Sequence, residues 1–235
     1  MNLQRRVLVG LLGLLFFTAC RDEASDSSSN SFDEDLKQIS YLALGDSYTI
    51  GTGLKSGQAY PWLLADYIES HGKADSVALQ VVAENGWTTA DLRQGITKAA
   101  PDSAFDLVTL LIGVNNQYEK RSLTEYRQQY SALLRYAIIF AEGDTHRVLA
   151  LSIPDWGQSP AGQGRRAQIS REIDQFNQVN RAIADSLGVT YVDLTTISRR
   201  AAQEPGLIAP DGLHFSADMH VLWADAIAPE LPEWY

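Results

Sequence analysis

A serine, a glycine, an asparagine, an aspartate and a histidine, each placed beyond a short apolar run, are the chemically suggestive residues of this chain. They fall in Gly45-Asp46-Ser47-Tyr48, Glu84-Asn85-Gly86-Trp87, Gly113-Val114-Asn115-Asn116 and Pro210-Asp211-Gly212-Leu213-His214, and Pro154-Asp155-Trp156-Gly157 stands in a similar position. A serine hydroxyl is a poor nucleophile at neutral pH and needs a neighbouring base; a histidine supplies one, and a carboxylate can orient it. With donors for the negative charge that develops on a carbonyl oxygen, such a set suffices for acyl transfer. Each piece alone has a plainer reading. Gly45-Asp46-Ser47 fits a strand-to-helix turn with serine as cap, Asn85-Gly86 and Asp211-Gly212 are turn pairs, Asn115 fits a capping or turn position, and a lone His214 fits a hydrogen-bonded structural histidine. Their shared placement is what favours chemistry.

That placement rests on the elements between them. From about Gln38, short apolar runs at Ile39 to Leu44, Ala78 to Ala83, Leu107 to Ile112, Val148 to Ile153 and Val189 to Val192 read as buried strands. Helical patterns separate them. Ser122-Leu123-Thr124-Glu125 is a capping-box pattern followed by Tyr126, Tyr130, Leu133, Leu134, Ala137 and Ile138 on one face, with Gly143 as a stop. Ile169, Ile173, Phe176, Val179, Ile183 and Leu187 form a second stripe ending at Gly188. A third helix is expected after Pro61, around Trp62, Leu63, Tyr67 and Ile68, and a fourth through Met219, Trp223, Ala226 and Ile227. This alternation is the pattern of an α/β protein with a parallel sheet covered by helices. Such sheets bind ligands at the carboxyl ends of their strands, where four of the polar clusters fall, the fifth, Pro210 to His214, following the last run after a short irregular segment.

The four blocks resemble those of the SGNH subgroup of GDSL esterases and lipases, named for Ser, Gly, Asn and His. Gly45-Asp46-Ser47-Tyr48 matches the first block, Gly86 the second, Gly113-x-Asn115 the third and Asp211-x-x-His214 the last, so the resemblance spans nearly all of residues 39 to 228. It implies a flavodoxin-like three-layer α/β/α sandwich with a five-stranded parallel sheet of order 2-1-3-4-5, and a serine hydrolase acting on ester bonds. On this reading Ser47 is the nucleophile, His214 the base and Asp211 its orienting partner. The resemblance assigns the oxyanion donors to the Ser47 and Gly86 backbone N–H groups and the Asn115 amide. One departure is Asn116, where the family usually has Asp; the shape is kept and the charge lost. Asp155 is a rival partner for His214, and His71, His146 and His220 are expected to be surface or structural. Tyr48, Trp87, Asn116 and Trp156 are candidates for the substrate pocket, with core packing as the competing expectation for the aromatic ones.

Charge and the N-terminus bound the setting. Nineteen basic against 29 acidic residues give a net charge of -10, which argues against nucleic-acid binding. Arg5-Arg6, the eleven apolar or Gly residues Val7 to Phe17, and Thr18-Ala19-Cys20 read as an export signal, too short to span a bilayer. Phe17-Thr18-Ala19-Cys20 resembles the lipobox of bacterial lipoproteins, which implies a signal peptide over 1–19, lipidation of Cys20 and membrane attachment; an ordinary secretory peptide is the alternative. Its removal deletes Arg5 and Arg6 and no acid, taking the charge to -12. Residues 20–37 read as a Ser- and acid-rich tether, and 38–235 as one hydrolase domain. The expected location is the periplasmic side or outer surface of a bacterial envelope.

Neither a cofactor nor a metal is expected: the lone Cys20 and the lack of H-E-x-x-H leave no metal motif. The expected substrates are small-molecule, lipid or glycan esters such as lysophospholipids, simple acyl esters or O-acetylated glycans. An acyltransferase on the same site and a non-catalytic flavodoxin-like binding lipoprotein are the alternatives. A nucleotide or flavin module fits poorly, because Gly51 to Gly57 lacks G-x-G-x-x-G spacing and Asp46 would repel phosphate.

Overall fold

The computed structural model describes residues 37–101 and 104–233. The expected leader over 1–19, Cys20 and all of the expected tether over 20–37 except Lys37 lie outside the described residues.

Five parallel strands form one sheet in the order β2-β1-β3-β4-β5: β1 (Gln38–Gly45), β2 (Ser76–Ala83), β3 (Leu107–Leu111), β4 (Val148–Leu151) and β5 (Thr190–Val192). The central strands are apolar on both faces because helices cover both. All of β3 and β4 is buried. At the edge, β2 buries only Val82, so its residues see solvent on one side. Register runs from Gln38 opposite Ser76 to Gly45 opposite Ala83, and from Tyr41 opposite Leu107 to Gly45 opposite Leu111. The chain therefore leaves β1 for one neighbour and returns on its other side, so the sheet switches direction between β1 and β3. At such a point the crossover loops part and leave a crevice beyond the strand ends.

The helices are α1 (Ser47–Ile50), α2 (Tyr60–Ser70), α3 (Thr89–Ala99), α4 (Val114–Tyr118), α5 (Leu123–Phe140), α6 (Arg166–Leu187), α7 (Thr195–Ser198) and α8 (Ala217–Ile227). α2 packs on α8, and α3 on α5 on α6, giving the helical layers of a three-layer sandwich. The expected strands and the four marked helices are present. Ser122 caps α5 by accepting from the Glu125 N–H at 3.1 Å, but Glu125 does not complete the box; its carboxylate accepts from Gln129 instead. Beyond the helix end Gly143, at φ 88°, donates its N–H to the Ile138 carbonyl at 2.8 Å. α6 likewise ends on the left-handed Gly188, and its stripe of Ile169, Ile173, Phe176, Val179 and Ile183 is buried.

Two glycines of the motif blocks are demanded by packing. A Cβ on Gly45 would lie 2.6 Å from the Leu111 carbonyl and against Thr49. One on Gly113 would meet the Ile153 side chain at 2.8 Å and the Tyr126 ring at 2.9 Å, at a φ of 128°. Both glycines sit where β1 and β3 hand over to the polar residues that follow.

Candidate active site

Ser47 is the first residue of α1, separated from the end of β1 at Gly45 by Asp46 alone. Asp46 makes this abrupt change possible: its extended backbone ends the strand, and its carboxylate accepts from the Tyr48 N–H at 3.1 Å, capping the short helix. The helix stops after one turn because Gly51, at φ 74°, donates back to the Ser47 carbonyl at 3.0 Å. The Ser47 N–H, at the start of a helix, has no hydrogen-bond partner among the described residues.

Asp46 itself is buried, and burial, partly offset by the Tyr48 N–H, raises its pKa from the ordinary carboxylate value to about 7. An acid whose folded pKa is raised favours folding while neutral. Its stabilising contribution is complete below about pH 4 and is lost as the pH rises through about 7. An amide at this position can still accept the Tyr48 N–H and does not ionise. The Asp46→Asn variant is therefore expected to gain stability relative to wild type as pH rises from about 4 to 7, by up to roughly 1.4 kcal/mol per pH unit. Denaturant unfolding at several pH values checks this; a stability difference that does not change with pH would refute it.

The histidine and its partner share one compact loop. Asp211 Oδ2 lies 2.6 Å from His214 Nδ1, while Oδ1 accepts from the backbone N–H groups of Leu213 and His214 at 2.9 and 3.0 Å. Burial works against the Asp211 charge, but the imidazole and the two N–H groups outweigh it and hold the pKa below the ordinary carboxylate value. Gly212, at φ 72°, makes the turn between them. The loop is closed by the Ala209 N–H to the His214 carbonyl at 2.8 Å, and tied to a neighbouring segment by the Ala161 N–H to the Gly212 carbonyl at 3.0 Å. The Tyr48 ring supports the imidazole edge-on at 5.9 Å.

Asn115 is the second residue of α4. One hydrogen of its side-chain amide is donated to the Trp87 carbonyl at 2.9 Å, which fixes the amide plane and leaves the other for a ligand. Trp87 belongs to the turn closed by its own N–H to the Glu84 carbonyl at 3.4 Å, with Gly86 at φ 80°. The backbone conformation is what calls for glycine at 86, since a Cβ there would meet nothing. The Gly86 N–H has no partner among the described residues. Thr52, just beyond α1, donates its hydroxyl to the Asn85 side chain and so links this turn to the nucleophile's loop.

A cavity of about 330 Å³ opens here, lined by Ser47, Tyr48, Asn115, Trp156 and His214 among others. Asp211 reaches it through His214. Among the described residues no hydrogen bond joins the Ser47 hydroxyl to the imidazole; such contacts are often long in a ligand-free site and tighten when substrate binds. Two expected pocket residues are elsewhere. Trp87 packs its indole over Gly95 of α3, where any Cβ would collide with the ring. Asn116 is buried: its Oδ1 accepts from the Thr89 N–H at 3.0 Å and its Nδ2 donates to the Thr89 hydroxyl at 2.8 Å, while that hydroxyl donates to Gln129. The uncharged side chain at 116 thus pins α4 to the start of α3. A carboxylate could not donate this second bond.

Asp155 is not a partner of His214. It is fully buried and accepts from Arg199 at 2.9 Å, Ser170 at 2.6 Å and the Gly157 N–H at 3.0 Å. His220 is buried against Tyr60, whose N–H donates to its Nδ1 at 3.1 Å; burial foremost, then nearby His214, lowers its pKa to about 3. His146 lines a hollow of about 880 Å³ at the opposite end of the sheet, beside the start of β1. Tyr118 and Arg165 also line the 330 Å³ cavity and were not anticipated. Among the described residues no group of three His, Cys, Asp or Glu is placed to hold a metal, and no helix is long and apolar enough to cross a membrane.

The family described as GDSL-like Lipase/Acylhydrolase matches residues 43–222 of the chain. Solved structures similar to it include an acetyl xylan esterase, AlAXEase, with a TM-score of 0.66 and 19% identity over 83% of this chain and 100% of that one. TesA is similar with a TM-score of 0.64 and 20% identity over 81% and 97%. The lipase/acylhydrolase from Enterococcus faecalis gives 0.59 and 21% over 84% and 99%. At these identities the likeness establishes the fold. No curated protein matches the sequence.

Proposed function

The chain belongs to the GDSL-like lipase/acylhydrolase family and is a serine ester hydrolase; from this premise we propose that Ser47, His214 and Asp211 cleave small carboxylic esters through an acyl-enzyme. The observation that carries the reading is the Asp211–His214 pair at 2.6 Å, on a closed loop that brings the imidazole into the cavity Ser47 lines. With Nδ1 donating to Asp211, Nε2 is left as the proton acceptor. Ser47 Oγ attacks the carbonyl carbon as its proton passes to Nε2, and the resulting imidazolium is stabilised by Asp211. The carbonyl oxygen becomes anionic and takes hydrogen bonds from the Ser47 and Gly86 N–H groups and the free Asn115 hydrogen. Collapse expels the alcohol with the proton from His214. Water, activated by the same base, then releases the acid and restores Ser47.

The substrates we infer are short acyl esters or O-acetylated sugars, since a cavity of about 330 Å³ holds a small acyl or glycosyl group; the acyl chain of a lysophospholipid would extend out of it. We further propose that the leader 1–19 directs export and that Cys20 is acylated, tethering the domain to an envelope membrane by residues 20–37. A fluorophosphonate, which captures activated serines, is expected to add once per molecule, on the peptide containing Ser47. Mass spectrometry locates the adduct, and modification of a different serine would overturn the assignment.

A further inference from the structure

Arg165 is the one permanently charged side chain in the described lining of the cavity that holds Ser47 and His214. That is unusual in a chain with a net charge of -10, and among the described residues Arg165 makes no ion pair. Nor is it loosely placed. Its guanidinium carbon lies 5.6 Å from the centre of the Trp156 ring. Trp156 is buried and held in plane by its indole N–H, which donates to Gln117 at 2.8 Å; Gln117 in turn donates to Glu172 at 2.6 Å. Tyr118, 62% exposed, meets the Trp156 ring edge-on with the ring centres 5.7 Å apart. Stacking on a fixed indole restrains a guanidinium while leaving its N–H fork free for a planar anion.

Resting on the esterase reading above, we propose that Arg165 is a specificity residue and that the preferred substrates are esters carrying an anionic group, a carboxylate or phosphate, close to the scissile bond. The cavity offers such a group one cation and no opposing carboxylate. The charge on the substrate replaces water around the guanidinium with a charge-assisted pair, which lowers KM rather than raising kcat.

Two matched ester pairs test this, each rate divided by that of hydroxide-catalysed hydrolysis to remove intrinsic reactivity. In one, 4-acetoxybenzoate is compared with its methyl ester, placing charge on the leaving alcohol; in the other, a monoaryl succinate is compared with the aryl butyrate, placing it on the acyl group. Wild type is expected to favour the anionic member of at least one pair by about tenfold in kcat/KM, mostly through KM. In Arg165→Met this ratio collapses towards one, Arg165→Lys keeps part of it, and salt at about 0.5 M shrinks it in wild type. Equal treatment of both members of both pairs by wild type, or an undiminished ratio in Arg165→Met, overturns the proposal while leaving neutral-ester cleavage standing. Failure to cleave any of the four esters above the level of Ser47→Ala would instead remove the esterase reading, and this inference with it.

Discussion

Replacing Ser47 with alanine is expected to lower kcat for ester hydrolysis by about six orders of magnitude, to the level left by binding and oxyanion donors alone. At about 1.4 kcal/mol per decade this is roughly 8 kcal/mol of transition-state stabilisation, far beyond what loss of any single binding contact explains. The size follows from the chemistry: without the hydroxyl no acyl-enzyme forms, and His214 has no proton to accept from residue 47. Folding should be nearly untouched. The Ser47 side chain has no hydrogen bond to lose among the described residues, the backbone bonds that close α1 do not involve it, and alanine is a good helix former. Thermal melting and the fluorophosphonate reaction, read on the same preparation, separate the two effects. A variant that melts like wild type and still hydrolyses esters would require another nucleophile.

The parts of the fold that could be read from sequence are those where one physical demand dominates. β1, β3 and β4 are buried on both faces, so their apolar runs are continuous, and α6 carries a full buried stripe. α3 was missed because it buries only Leu92 and Ile96 among its apolar residues, too few to show a period. Its signal was local instead: Thr88 and Asp91 form a complete capping box at its start. The site shows the same division. Ser47 and Asn115 stand out because they follow strand ends, which are visible in sequence, whereas His214 lies on a loop well beyond β5 and only its motif singles it out; the fold brings all three to one cavity. Trp87 was misplaced because adjacency to a motif residue says nothing about which way a ring turns; its carbonyl serves Asn115 while its indole packs on Gly95. Tyr118 and Arg165 lie on the five-residue α4 and on an irregular helical segment, Pro160–Arg165, neither long enough to have a readable pattern. Nor could spacing decide between Asp211 and Asp155, because what removes Asp155 is its tertiary pairing with Arg199.

The sharpest test of the relay is Asp211→Asn, which keeps shape and removes charge. Oδ1 of Asp211 accepts two backbone N–H groups, from Leu213 and His214, so in the variant the amide oxygen is held at that position and the NH2 must occupy the place of Oδ2. It then faces His214 Nδ1, 2.6 Å away in the wild-type geometry, as a donor. A donor cannot face an N–H, so the imidazole must take the tautomer protonated on Nε2, leaving Nδ1 to accept. The nitrogen required to receive the Ser47 proton is then already occupied. Turnover is expected to fall by about four orders of magnitude near neutral pH, as expected when the base is held in the wrong tautomer. Part of the activity should return at high pH, where hydroxide can take over as base, while wild type shows no such rise. Because the two backbone bonds survive, the loop and the melting temperature should change little. The imidazole nitrogen shifts in a 15N-labelled sample report the tautomer directly. Near-normal activity with Nε2 protonated would refute His214 as the base.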